Sequence, residues 1–123
     1  FQTGGTGQSG NTLSKAGLYS VAANGNMTLL SGCTSTTFAG TYTGQTIALT
    51  TSQTLTAGSV YAVGILQVGT TSASLLGSWC NAMFLGGTPV FCQTIGSQSD
   101  LPSSITSGSL STYEFPVYCE LHS

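Results

Sequence analysis

The stretch Ala16-Gly17-Leu18-Tyr19-Ser20-Val21-Ala22, followed by Asn24-Gly25 and then Met27-Thr28-Leu29-Leu30, decides how the rest of the chain is read. Asn-Gly between two such runs is the strongest short-range hairpin signal, because both residues tolerate positive φ. It predicts two antiparallel strands joined by a tight turn at 24–25.

Outward from this hairpin the pattern stays that of strands. Residues 41–49 place Tyr42, Ile47 and Leu49 among Thr and Gln, and β-branched Thr suits a pleated surface. Ala57-Gly58 marks a turn. Residues 59–68 then form the most apolar run, with Tyr61, Val63 and Ile65 on one face and Val60, Ala62, Leu66 and Val68 on the other. Two apolar faces predict a central strand covered on both sides. Gly64 in its middle leaves room for a neighbour to pack closely. A short apolar patch begins at Leu75 and Leu76, Gly86-Gly87 breaks it, and residues 90–95 read as a short strand. Residues 96–107 form a polar loop around Asp100-Leu101-Pro102. A last strand spans about 113–121, with Pro116 predicting an edge or a bulge. No segment carries a sustained helical period.

The expected fold is therefore all-β, an antiparallel β-sandwich of jelly-roll type with short strands and little or no helix. Residues 1–12, rich in Gly, Thr and Gln, read as a loop or linker continuing from an upstream segment, and 13–123 as one sandwich domain. Phe1 is not a translation start, so the chain is expected to be a processed or engineered product, or the visible part of a longer protein.

Composition narrows the function. Hydrophobic residues are 40% of the 123, enough for a packed core, but charged residues are only 3%, against about 25% in ordinary domains. The charges are Lys15, Asp100, Glu114 and Glu120. With no basic patch, no nucleic-acid partner is expected. The longest apolar run, 60–66, falls far short of the ~20 residues of a spanning helix, so no membrane insertion is expected. A surface of hydroxyls and amides suits a subunit inside an assembly, or one that meets a neutral ligand, because it has little self-repulsion.

Catalytic chemistry is poorly supplied. Glu114 and Glu120 share a strand face but lie about 20 Å apart on a regular strand, too far to flank one bond. His122 sits at the tail, where a Ser–His–acid triad is hard to hold. No enzyme, metal site or cofactor is expected. Cys33, Cys80, Cys92 and Cys119 contain no Cys-x-x-Cys pair, which disfavours zinc. They read either as buried small apolar residues or as disulfides, and Cys80 with Cys92 is then the first pairing to consider. For glycan contact the candidates are Trp79 and Asn81, an aromatic face with an amide beside it; a lone Trp is more often core. Asn26-Met27-Thr28 matches a glycosylation sequon near an exposed turn.

Three blocks together resemble a known family. Gly17-Leu18-Tyr19-Ser20-Val21 with Gly25-Asn26-Met27-Thr28-Leu29, then Ala57-Gly58-Ser59-Val60-Tyr61-Ala62-Val63-Gly64, then Asp100-Leu101-Pro102-Ser103-Ser104-Ile105 with Gly108-Ser109-Leu110, are similar in kind and order to segments of minor tail proteins of tailed phages of actinobacteria. The four cysteines depart from that pattern. The resemblance implies a C-terminal β-sandwich of a larger virion protein near the tail tip or fibre, with other virion proteins as partners. Assembly as a homo-oligomer, a trimer by preference, and contact with host cell-surface glycan are the matching expectations. The expected location is the virion, assembled in host cytoplasm and extracellular when mature. Two rival readings stand beside it: a capsid decoration or filament subunit without a receptor, and a secreted lectin-like carbohydrate-binding module.

Overall fold

A computed structural model of the chain describes residues 1–76, 93–112, 117 and 119–121. The fold is all-β and antiparallel. Its strands are β1 (Ser9–Val21), β2 (Met27–Gly32), β3 (Val60–Thr71), β4 (Gln93–Thr94), β5 (Ser104–Ile105) and β6 (Ser111–Thr112), with one 3-10 turn at Ser107–Ser109. A four-stranded sheet runs in the order β3-β1-β2-β5, and β4 pairs with β6 in a separate ribbon. Both β1 and β3 are longer than the short strands expected.

The predicted hairpin forms with Tyr19 opposite Leu29 and Val21 opposite Met27. Its turn differs from a two-residue one. The Gly25 N–H donates to the Ala22 carbonyl (2.8 Å), and the Ala22 N–H donates to the Asn26 carbonyl (2.8 Å). Gly25 alone has positive φ, +81°. This is the three-residue loop in which one residue enters the left-handed region, so Gly25 is required and Asn24 is not strained. The Asn24 side chain instead accepts from the Asn26 N–H (3.1 Å).

The strand at the centre is β1, not β3. Ala16, Gly17, Leu18 and Tyr19 are buried in succession, and because alternate residues face opposite ways, both sides of β1 are covered. No residue of β3 is fully buried, and Val60 and Val63 are 48% and 37% exposed. The two-faced apolar pattern is present as read: Val63 lies opposite Leu18 and Ala62 opposite Tyr19. The expected central position is not, because β1 is the one neighbour of β3 among the described residues.

A row of glycines crosses the sheet. Gly17 pairs with Gly32 on one side and Gly64 on the other. The Tyr19 ring fills the space above Gly64, where an added Cβ would stand 2.8 Å from the ring edge. The Leu101 side chain fills the space above Gly17 and Gly32, at 2.9 and 3.1 Å from the corresponding Cβ positions. Glycine ordinarily weakens a strand interior, but here it lets a ring and a leucine seat against the backbone. The close packing expected at Gly64 thus comes from Tyr19.

The segment expected as a polar loop lies on this face. Tyr19 Oη donates to the Pro102 carbonyl (3.1 Å), and the Leu29 N–H donates to the Ser103 carbonyl (2.9 Å). Strand β5 then pairs with Met27 and Thr28. On the opposite face Ser14, Ala16 and Leu18 are buried, with Phe38 fully enclosed nearby. Beyond β2 the chain keeps following β1, with Cys33 N–H on the Ala16 carbonyl and Thr36 N–H on the Ser14 carbonyl, both 2.9 Å. The covering layers around β1 are thus extended segments, which gives a sandwich-like section without a second large sheet among the described residues.

Two further expectations change. Residues 41–49 are not a strand; Tyr42 is 65% exposed at φ +52°. Within the opening residues read as a loop or linker, β1 already starts at Ser9, Thr3 is fully buried, and isolated bridges join Gln2 to Gly44 and Thr3 to Leu75. Backbone pairing needs no apolar side chains, so composition alone does not reveal it.

Gly64→Ala should destabilise the protein by about 1–3 kcal/mol in urea unfolding, since the Tyr19 ring has nowhere to move. Gly96→Ala, where nothing lies within 4 Å, should change stability by no more than about 1 kcal/mol. Equal effects of the two substitutions would contradict the packing of Tyr19 on Gly64.

Candidate functional site

Seating Leu101 in the glycine row brings its neighbour Asp100 beside Lys15, which lies on the same face of β1 as Gly17 and Tyr19. Lys15 Nζ donates to both carboxylate oxygens of Asp100, at 2.8 and 2.9 Å. Asp100 Oδ1 also accepts from the Leu101 N–H (2.7 Å). The side chains are 22% and 58% exposed, the lysine stem being the more covered. The chain's single basic side chain is thereby neutralised across 85 residues of sequence. The exposed ion pair adds little stability by itself; Leu101 and Tyr19 hold the segment.

The pair borders a cleft of about 360 Å³. Leu29 and Leu101 contribute apolar side chains to its lining, and Thr34 and Thr50 contribute hydroxyl-bearing ones. Thr50 is fixed there by its N–H and hydroxyl, which both donate to the Gly32 carbonyl, at 2.9 and 2.7 Å. Thr34 is exposed, and its hydroxyl has no partner among the described residues.

Lys15 and the Leu101 N–H both favour ionised Asp100 and hold its carboxyl below the ordinary range, the Lys15 bond being the larger cause. Tyr19 moves the other way: burial, and then the negative Asp100, push its phenol up. It therefore stays a donor to Pro102. No group of three or more His, Cys, Asp or Glu gathers among the described residues.

The candidate glycan contacts Trp79 and Asn81, and the candidate pairing of Cys80 with Cys92, lie outside the described residues, as do Glu114 and His122. Cys33 is buried and its thiol accepts from the Ala16 N–H (3.1 Å), as a small core residue would. Asn26 of the sequon is half-buried, and its side-chain oxygen accepts from the Ser107 N–H (3.0 Å). Tyr19 is core, while the Tyr61 hydroxyl accepts from the Thr56 N–H (2.8 Å). The reading of single residues missed the Lys15–Asp100 pair. The available signal was that the one lysine needs a counter-charge and that one of only three acids stands beside an apolar Leu-Pro.

Because the folded Asp100 value lies below the ordinary one of about 3.9, the pair supports the docked segment above that pH, and its support is lost as pH falls through the lowered value. The Leu101 amide shift, followed by NMR, should titrate with a midpoint below about 3.9, and Lys15→Met should raise that midpoint. An unchanged midpoint in the variant would rule out Lys15 as the main cause. Comparison with family models, curated proteins and solved structures finds no match to this chain.

Proposed function

We propose that this chain is a structural and adhesive domain of a tailed-phage particle, associated with the tail and meeting neutral glycan of an actinobacterial envelope. The observation that carries the reading is the uncharged surface: 3% charged residues, with the only lysine already bound to Asp100. Hydroxyls and amides offer hydrogen bonds to sugar hydroxyls without selecting for charge. Several copies on one particle would multiply weak single sites, so a homo-oligomer, a trimer by preference, suits the role.

The three blocks on which the resemblance rests pack against one another. Tyr19 of the first block stacks over Gly64 of the second, and its hydroxyl binds the Pro102 carbonyl of the third. The three blocks thus act as one packing unit. Such a unit is a fold determinant, and the glycan partner is inferred from the surface chemistry.

A purely structural role, as a decoration or filament subunit, is favoured by one observation. Strand β3 exposes Val60 and Val63, and uncharged apolar edges are cheap to desolvate against a neighbouring subunit. Binding of the labelled domain to intact actinobacterial cells separates the two readings. The adhesive reading expects saturable binding, weakened by Trp79→Ala if that ring meets sugar. A folded domain that binds no cells, present in hundreds of copies per particle, would establish the structural role instead.

A further inference from the structure

We propose that the cleft beside the Lys15–Asp100 pair binds the vicinal diol of a neutral pyranose; this rests on the adhesive reading and assigns it a site. The hydrogen-bond inventory makes the case. A lysine ammonium carries three donors, and an ionised carboxylate about four acceptor sites. Lys15 gives one donor to each oxygen of Asp100, which leaves one over. Oδ1 accepts from both Lys15 and the Leu101 N–H, whereas among the described residues Oδ2 accepts from Lys15 alone. The pair therefore presents one spare charged donor beside one spare charged acceptor. Two adjacent sugar hydroxyls, one accepting and one donating, complement that arrangement.

The surroundings favour the same ligand. Leu29 and Leu101 in the lining offer apolar surface to the C–H face of a sugar ring, and Thr34 and Thr50 in the same lining offer hydroxyls. A few placed polar groups around an apolar floor are the usual make-up of a small-molecule site. Charged ligands are disfavoured: an anion meets Asp100 and a cation meets Lys15. The acceptor is ionised at neutral pH, as an aspartate ordinarily is, and Lys15 and the Leu101 N–H favour that form further.

The test uses the labelled domain with methyl α-mannopyranoside, methyl α-glucopyranoside and methyl α-galactopyranoside at millimolar concentration. Titration should shift the Leu101 amide and the Leu29 and Leu101 methyl signals of the wild-type domain. Asp100→Asn and Lys15→Met, checked for folding by their amide spectra, should each weaken glycoside and cell binding about tenfold or more, as expected for loss of a charge-assisted hydrogen bond. If the domain binds cells but the glycosides leave the cleft signals unmoved, or the folded variants bind like wild type, the cleft assignment fails and adhesion stands. If the domain binds neither cells nor glycosides, both fail. The wild-type titration decides the matter even if a variant does not fold.

Discussion

The rest of the structure depends on the burial of one tyrosine against a glycine. Tyr19 is 2% exposed and lies over Gly64, and its hydroxyl reaches the Pro102 carbonyl. A tyrosine buried without a partner for its hydroxyl would be costly. The 100–105 segment supplies that partner and at the same time covers the ring. One side chain thereby links three stretches of chain that are remote in sequence: β1, β3 and the segment leading into β5.

The glycine row makes this possible. Gly32, Gly17 and Gly64 stand side by side across three strands, and together they leave a shallow trough instead of a ridge of side chains. Leu101 enters the trough from one end and Tyr19 covers the other. Filling it with methyl groups would push both outward, because interiors are packed too tightly to absorb the volume. The position of Asp100, and hence of the cleft beside it, follows from how Leu101 is seated. The candidate site is a consequence of core packing, which brings the non-strand residues Thr34, Thr50, Asp100 and Leu101 beside β1 and β2.

The sparse charge has a structural side as well. In a chain with one lysine and three acids, an ion pair between β1 and the 100–101 corner uses half of all the charged side chains. What remains at the surface is mainly hydroxyl and amide, with apolar side chains along β3. Such a strand carries no lysine and no proline to discourage pairing, the usual protections of a strand at the end of a sheet. That suits a protein whose neighbours are other subunits, or a neutral ligand, more than one that diffuses alone.

Local pattern in the sequence determined a good deal: the all-β class, the hairpin about Asn24-Gly25, the two-faced alternation of residues 60–68, the turn at Ala57-Gly58 and the close approach at Gly64. Each is encoded within a few residues, by alternation or by a glycine that has no substitute. Tertiary structure alone decided which strand is central. Strand β3 looks central because it is apolar on both faces, yet β1 takes that place with Ser14, Lys15 and Gly17 in its run. Its cover comes from segments that are distant in the chain, and no local window shows them. The same holds for the Lys15–Asp100 cleft: each residue is visible in the sequence, but their meeting depends on Leu101 fitting glycines from two different strands.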